Sequence, residues 1–441
     1  MRASSYNFFF PYEQDKDKMI AYNAFSNSLA LLDMDKYGMF TAFAENGSAI
    51  DDEEFVKQLK STGFLIEDEV CEIELIRLKM LRSRFSTRYL SLTIAPTADC
   101  NFRCPYCYEQ GVIKPQYMTP EIEEAIVKLV ESRAKSIEML RITWYGGEPL
   151  MAVDVVKRLS ERFISICEEH KITYNASMIT NGYFLTKENV DLLNLLKITS
   201  LQVTIDGNRE MHDSLRYLSD GSGTFDTIMD NLTENKDILP SVALRMNVNK
   251  NNVSQAKEIH EMVKARNLID KVQPYLGKMT KANEEYDGTI CLSASDFAQE
   301  NFSNYADTGN DDYMGFYPTK KANYCIADSE AGSVIASDGR IYKCWVDIGK
   351  DDRCVGSINL SDGRSVYKNE KLFLDYMLFD PTQDDMCKQC KVMPLCMGGC
   401  PVNRSSGSVA DKCSMYKFKL TDIMNLVSRR LKLKLDAAKV Q

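Results

Sequence analysis

The sequence predicts an α/β protein. Between residues 89 and 277, strand-like runs alternate with segments of helical periodicity, which is the pattern of β/α units built around a parallel sheet. Pro96 ends the first run, because proline cannot donate to a strand ladder. Functional loops are then expected at the carboxyl ends of the strands. The predicted strands are Tyr89–Ala95, Leu140–Tyr145, Thr173–Ile179, Ser200–Ile205, Ala243–Val248 and Lys271–Leu276, separated by helices at Pro120–Arg133, Val153–His170, Thr186–Leu196, Thr224–Asn235 and Ser254–Arg266.

Composition narrows the class of protein. The 441 residues are 44% hydrophobic and 27% charged, as in ordinary globular proteins, and carry a net charge of −9. This acidity argues against a nucleic-acid partner. No apolar run approaches the roughly 20 residues that span a bilayer, and no secretory signal is visible, so we expect a cytoplasmic protein without a membrane partner. In that compartment the 14 cysteines are better explained as metal ligands than as disulfides.

Residues 1–85 form the first predicted domain. Strands at Tyr6–Tyr12, Lys18–Ser26 and Ser28–Asp33 are followed by helical patterns, which suggests a winged-helix-like module. It resembles the recognition domain fused to many enzymes that modify ribosomally made peptides, where an edge strand and a helix bind the leader segment of the substrate by strand addition. The alternative is a packing extension of the next domain.

Three cysteines follow the first strand of the α/β region. Cys100, Cys104 and Cys107 lie within eight residues, and Pro105 keeps the segment out of regular helix. Thiolates select zinc or iron–sulfur clusters, and a lone zinc prefers four protein ligands. With no fourth ligand nearby, the spacing favours a cubane with one open iron that can chelate a small molecule.

The Cys-x3-Cys-x2-Cys spacing, with Tyr106 before the last cysteine, resembles the signature of the radical S-adenosylmethionine (SAM) enzymes. The resemblance implies a partial (β/α)6 barrel of the TIM type over residues 86–277. It also implies a [4Fe–4S] cluster whose open iron binds SAM, which is cleaved to methionine and a 5′-deoxyadenosyl radical. Cys100, Cys104 and Cys107 would hold this cluster and be catalytic.

The same resemblance assigns polar residues at the strand ends to SAM. The second strand ends in Gly146, Gly147 and Glu148, where bare backbone admits the ligand and Glu148 accepts from the SAM amino group. Arg216 would pair with the methionine carboxylate, and Asp206 would bind ribose, orient the substrate or take a proton. The remaining predicted contacts are Tyr106, Thr180, Asn181 and Asn247.

A second cysteine array follows an acidic segment, 278–320, which is predicted to be an irregular linker or lid. Residues 321–441 resemble the SPASM extension of radical SAM peptide-modifying enzymes, which holds two auxiliary [4Fe–4S] clusters. Its first cluster would use Cys325, Cys344 and Cys400. Cys354 would be the fourth ligand, or one iron would stay open. Its second would use Cys387, Cys390, Cys396 and Cys413. Zinc at these cysteines is the alternative.

The resemblance as a whole implies a radical SAM/SPASM peptide maturase, similar to the thioether-forming sactisynthases, with three [4Fe–4S] clusters. It would crosslink a precursor peptide that carries a leader sequence. A thioether is the preferred crosslink and a carbon–carbon bond the second choice. An electron donor such as flavodoxin or ferredoxin would be its partner. Two alternatives stay open: an anaerobic sulfatase-maturating enzyme that forms formylglycine, and a non-catalytic zinc scaffold that binds peptides.

Overall fold

The computed structural model describes residues 1–281, 283, 286–307, 315–405 and 412–438. The chain divides into two compact units, one comprising residues 1–83, 293–324 and 379–441 and the other residues 84–292 and 325–378. The domain boundaries given above stay a prediction, because a division into compact units does not test them. Among the described helices, none combines the length and the apolar composition of a membrane-spanning segment.

The first unit begins with a small antiparallel sheet. Strands β2, β3 and β4 pair in that order, and β1 pairs separately with β5. Asp52 caps the second helix by accepting a hydrogen bond from the Phe55 backbone amide at 2.9 Å. The elements are β1 (Arg2–Ala3), β2 (Asn7–Pro11), β3 (Lys18–Asn23), β4 (Ser28–Asp33), α1 (Met34–Asn46), α2 (Glu53–Ser61), β5 (Leu65–Ile66) and α3 (Glu72–Arg84).

The second unit contains the predicted parallel sheet. Six strands, β6 to β11, lie side by side in sequence order, each parallel to the next. The fold class is thereby confirmed. The elements are β6 (Tyr89–Ile94), α4 (Pro120–Arg133), β7 (Met139–Trp144), α5 (Val153–His170), β8 (Thr173–Ile179), α6 (Lys187–Leu195), β9 (Ile198–Thr204), α7 (Arg209–Leu215), α8 (Phe225–Glu234), β10 (Ser241–Val248), α9 (Ala256–Ala265) and β11 (Val272–Lys278).

The parallel sheet continues into the C-terminal part of the chain. Strand β12 pairs in parallel with β6, and antiparallel strands β13, β14 and β15 follow it. The predicted hairpin at Asp338-Gly339 joins β12 to β13, with Gly339 at φ +80°. These elements are β12 (Gly332–Ile335), β13 (Arg340–Tyr342), β14 (Gly356–Ile358), β15 (Ser365–Tyr367) and α11 (Glu370–Leu378).

The remaining helices belong to the first unit: α10 (Ala294–Asp307), α12 (Met393–Cys396), α13 (Pro401–Ser405) and α14 (Tyr416–Ala438). The prediction of irregular structure over 278–320 is wrong at α10. Ser293 begins this helix by accepting a hydrogen bond from the Asp296 amide at 3.0 Å, and its apolar residues pack against α14. Residues 282, 284–285 and 308–314 of the predicted linker lie outside the described residues.

Candidate active site

The three-cysteine loop follows β6 directly, at the carboxyl end of the sheet. The Phe102 amide donates to Cys100 Sγ at 3.4 Å, and the Cys107 amide donates to the Cys104 carbonyl at 3.1 Å. Cys104 is buried, and Cys100 and Cys107 are half-buried. The loop therefore presents three partly shielded thiols from a short, internally bonded segment.

A β-bridge between Phe102 and Leu218 holds this loop in place. Around it, the Arg103 amide donates to the Tyr217 carbonyl at 2.9 Å, and the Ser219 amide donates to the Asn101 carbonyl at 3.0 Å. The segment after α7 thus serves as a backbone partner for the cysteine loop. Sequence reasoning missed this contact, because neither side forms a regular strand.

Glycines at the end of β7 let the backbone come close to the cysteine loop. Gly146 has φ +107°, in the region that favours glycine. A Cβ at Gly147 would lie 2.0 Å from the Asp99 carbonyl oxygen. The two glycines are therefore required by close packing against residues 97–99, whether or not a ligand is bound.

Glu148, Thr180 and Asn181 form one buried hydrogen-bonded group. The Glu148 carboxylate accepts from Thr180 Oγ1 at 2.7 Å, from the Asn181 amide at 2.7 Å and from the Leu150 amide at 3.1 Å. Burial raises the pKa of Glu148, and these donors partly oppose the shift. Asn181 Nδ2 also donates to Asn101 Oδ1 at 2.8 Å, which links the group to the cysteine loop.

Tyr106, Asp206, Arg216 and Asn247 form a second group. The Tyr106 hydroxyl donates to the Asp206 carboxylate and accepts from Arg216 Nη1 at 2.7 Å. The Asn247 amide donates to Asp206 Oδ1 at 2.8 Å, and Asn247 Nδ2 lies 3.3 Å from the Tyr106 hydroxyl. Burial raises the pKa of Asp206, and the positive charge of Arg216 acts against that rise. Four predicted site residues from separate segments of the chain thus meet in one network.

The donor set at this site fits a cluster and its ligand. Burial raises the pKa of all three thiols, to about 12 for Cys107, so cluster iron would have to supply the positive charge that keeps them deprotonated. Arg216 Nε and Asn101 Nδ2 are buried donors without a hydrogen-bond partner in the described part of the chain, and both suit an anionic ligand. Among the described residues, no three His, Cys, Asp or Glu side chains converge to hold a single metal ion.

Two asparagines outside the predicted set also organise the site. Asn252 Nδ2 donates to the carbonyls of Asp206 at 3.0 Å and Asn247 at 2.8 Å, joining the ends of β9 and β10. Asn283 Nδ2 donates to the carbonyls of Pro105 at 3.0 Å and Cys107 at 2.9 Å. Both lie in polar loops where local sequence carries no signal that would separate them from other turn asparagines.

Four C-terminal cysteines line one small cavity in the first unit: Cys387, Cys390, Cys396 and Cys413. Lys412 and Lys417 also line it, and Lys417 Nζ lies 3.7 Å from Cys390 Sγ. A Cβ at Gly399 would lie 1.8 Å from the Lys412 carbonyl oxygen, so glycine there lets the chain bring Cys413 back to the cavity. The set predicted for the second auxiliary cluster is thereby brought together.

The cysteines predicted for the first auxiliary cluster are divided between the units. Cys325, Cys344 and Cys354 lie in the second unit and Cys400 in the first. Buried Lys343 donates to the carbonyls of Ser329 and Gly332 at 2.6 Å each, which holds the turn after Cys325 against the strand before Cys344.

Cys354 is the candidate fourth ligand of that cluster. Its thiol donates to the Gly356 carbonyl at 3.1 Å and packs against an apolar cluster that includes Tyr145. Its role remains a proposal.

Residues 94–263 match the sequence model of the Radical SAM superfamily. The chain is 26% identical over 349 residues to a cysteine-type anaerobic sulfatase-maturating enzyme of Clostridium novyi, covering 71% of this chain and 88% of that protein. It is also 26% identical over 373 residues to an uncharacterized protein of Archaeoglobus fulgidus, covering 80% and 85%.

Solved structures show the same fold. The anaerobic sulfatase-maturating enzyme anSMEcpe with bound AdoMet and Kp18Cys peptide matches with a TM-score of 0.60 at 20% identity, over 77% of this chain and 99% of that one. Streptococcus suis SuiB bound to precursor peptide SuiA matches with a TM-score of 0.54 at 16% identity, over 94% and 99%. The family implies SAM and a [4Fe–4S] cluster, and the prediction of an enzyme is confirmed. Residues 94–263 of this chain therefore form a radical SAM domain.

Proposed function

We propose that the protein is a radical SAM maturase of ribosomally made peptides. The observation that carries this proposal is the first unit, with its three-stranded sheet, in addition to the radical SAM domain. The likeness to SuiB, in a structure that contains its precursor peptide, extends over 94% of this chain, whereas the likeness to anSMEcpe covers 77%.

The first unit exposes apolar side chains on helix α3 and on strand β4, which lies at an edge of its sheet. Leu75 and Leu78 on α3 are 45% and 44% exposed, and Leu31 on the edge strand β4 is 41% exposed. An edge strand leaves a row of backbone groups unpaired, and an extended peptide can add to it. We propose that the leader of the substrate pairs along β4 and places apolar side chains against α3.

At the barrel, the described residues would bind and orient SAM. Cys100, Cys104 and Cys107 would hold the cluster, which with SAM supplies a deoxyadenosyl radical. Arg216 Nε would donate to the methionine carboxylate of SAM. The amino acid end of SAM would lie beside Glu148 and be lined by Gly146, Gly147 and Thr180. Asn247 would reach toward the adenosine. Asp206, fixed by Tyr106, would orient ribose or substrate.

The C-terminal cysteines would hold two auxiliary clusters. The cavity lined by Cys387, Cys390, Cys396 and Cys413 supports the second of them, because two lysines there offset thiolate charge. Cys325 and Cys344 would contribute to the first, with Cys354 as a further ligand or with an open iron. These clusters would accept the electron released when a peptide carbon radical bonds to cysteine sulfur, a thioether being favoured over a carbon–carbon link, and flavodoxin or ferredoxin would reduce the SAM cluster.

The first test counts iron and sulfide in anaerobically reconstituted protein. Three [4Fe–4S] clusters predict about twelve irons, and Cys100→Ala/Cys104→Ala/Cys107→Ala should lose about four together with SAM cleavage. Protein that holds zinc and little iron would contradict the proposal and favour the zinc-scaffold alternative.

The second test identifies the substrate class. We expect a candidate precursor peptide with a leader segment, co-expressed with the enzyme, to lose two hydrogens per crosslink by mass spectrometry. Leu75→Lys/Leu78→Lys should abolish this modification, whereas Leu195→Lys on α6, which is 76% exposed, serves as the control.

The sulfatase-maturating alternative is favoured by the sequence likeness to the C. novyi enzyme. It predicts that the cysteine of the Cp18Cys peptide, which is bound in one solved anSMEcpe structure, is converted to formylglycine. This reaction would be insensitive to Leu75→Lys/Leu78→Lys.

A further inference from the structure

A buried histidine adjoins the hydrogen-bonded group formed by Tyr106, Asp206, Arg216 and Asn247. His212, on α7, is fully buried, and its Nδ1 accepts a hydrogen bond from the Asp206 backbone amide at 3.2 Å. Its Nε2 lies 3.0 Å from Thr224 Oγ1. A nitrogen that faces an N–H donor must present its lone pair, so the ring proton belongs on Nε2.

Thr224 links His212 to the backbone of Arg216 by hydrogen bonds. The Thr224 hydroxyl lies 2.6 Å from the Arg216 carbonyl oxygen, which can only accept. Thr224 therefore donates to Arg216 and accepts from His212 Nε2–H, so both its hydroxyl roles are used. Asp213 fixes this turn, because its Oδ1 accepts from the amides of Thr224 at 2.8 Å and Phe225 at 2.9 Å.

The hydrogen bonds form a closed circuit. It runs from the Asp206 amide through His212 and Thr224 to the Arg216 backbone, then from Arg216 Nη1 through the Tyr106 hydroxyl to the Asp206 carboxylate. Asp206 and Arg216 are thus each held from the backbone side and from the side-chain side.

We propose that His212 and Thr224 are positioning residues that set the relative placement of Asp206 and Arg216 for SAM binding. This inference rests on the proposed role of those two residues at the SAM site. His212 and Thr224 would act only through the Asp206 and Arg216 backbone, since neither belongs to the predicted ligand contacts.

The surroundings of His212 keep it neutral. Burial and the nearby charge of Arg216 lower its pKa well below its ordinary value, and the ring of Phe225 packs edge-on at 5.7 Å between centroids. The other charged groups near this turn are Asp206, Asp213, Glu210 and the Arg209–Asp226 pair. Asp213 is engaged by backbone amides, and Arg209 lies over the face of the Phe225 ring. A protonated ring would direct Nδ1–H at the Asp206 amide, so the circuit requires the neutral form.

Variants of Thr224 distinguish a histidine that only stabilises the fold from one that positions Asp206 and Arg216. Thr224→Val keeps the shape of the side chain and removes the hydroxyl from the circuit, whereas Thr224→Ser keeps the hydroxyl. His212→Asn can still accept from the Asp206 amide and is too short to reach Thr224. His260→Asn, at a half-buried position on α9, is the matched control.

The experiment uses reconstituted full-length protein with SAM alone. We expect Thr224→Val and His212→Asn to weaken SAM binding about 10-fold, which corresponds to about 1.4 kcal/mol, with iron content unchanged. Thr224→Ser and His260→Asn should stay within about twofold of wild type. The change that SAM produces in the electron paramagnetic resonance spectrum of the reduced cluster should require correspondingly more SAM in the two weakened variants.

A second readout does not depend on the cofactor. Nitrogen-15 NMR of the three histidine side chains should show one ring that is unprotonated at Nδ1 and stays neutral at pH 5. That signal should vanish in His212→Asn.

The outcomes separate the inference from the proposed function. If wild type binds no iron and no SAM, the proposed function fails. If wild type binds both, the inference is wrong when Thr224→Val binds SAM as wild type does, or when the buried ring carries its proton on Nδ1.

Discussion

The carboxylate of Glu148 accepts a hydrogen bond from the Asn181 backbone amide at 2.7 Å. Because Thr180 and Leu150 donate to the same carboxylate, one buried side chain joins the carboxyl ends of β7 and β8. Glu148 therefore has a structural role in addition to its proposed contact with the SAM amino group.

Glu148→Gln should destabilise the second unit, which contains the parallel sheet. The amide nitrogen of glutamine would face donors that need an acceptor, and leaving buried partners unsatisfied costs about 1–3 kcal/mol. Chemical denaturation followed by circular dichroism measures this cost. Glu161→Gln, at an exposed position on α5, should leave the midpoint unchanged. Equal midpoints for the two variants would contradict the role assigned to Glu148.

Gly147→Ala should disrupt the cysteine loop. The added Cβ would meet backbone atoms of Asp99 at 2.0 and 2.6 Å, so the end of β7 or the loop must shift. We expect at least a 10-fold loss of SAM cleavage and less iron bound. Gly111→Ala is the control, because a Cβ there meets nothing within 4 Å. A fully active Gly147→Ala protein would show that the close approach is unimportant.

Stability should depend on pH through His212. The folded protein excludes a proton that the unfolded chain binds below about pH 6.5, so the free energy of unfolding falls as the pH is lowered through that value. Between pH 7 and 5.5 this group alone should remove about 1 kcal/mol. His212→Asn should lose this component of the pH dependence and His260→Asn should retain it, as measured by denaturation at each pH. Parallel profiles for wild type and His212→Asn would contradict the prediction.

Cys396→Ala/Cys413→Ala should remove about four irons and leave SAM binding intact. Both thiols line the cavity in the first unit, whereas the SAM cluster would be held in the second. Iron analysis and SAM titration check this. Cys167→Ala, a buried thiol on α5, should keep the full iron content. Loss of all iron from the double variant would show that the cluster sites are not independent.

Local sequence was sufficient to predict the features that depend on neighbours in the chain. The cysteine spacing, the strand–helix alternation and the glycines after β7 are all short-range patterns. The contact of Phe102 with Leu218 and that of Asn283 with Pro105 join residues more than 100 positions apart, and polar loop residues at such separation carry no periodicity. Helix α10 was missed because its composition is polar and its aromatic residues Phe302 and Tyr305 pack against Phe316, outside the helix, and Tyr305 also against Arg430 of α14.

The parallel pairing of β12 with β6 has a consequence for evolution. Strand β6 leads into the cysteines that would hold the SAM cluster, and β12 lies between Cys325 and Cys344, so a shared ladder of backbone hydrogen bonds sets the register between the two regions. Within the intervening segment Asn283 contacts the cysteine loop, but the length of chain between Asn283 and β12 does not set that register. Insertions and deletions after Asn283 would therefore leave the pairing of β6 with β12, and with it the spacing of the two cysteine regions along the sheet, unchanged.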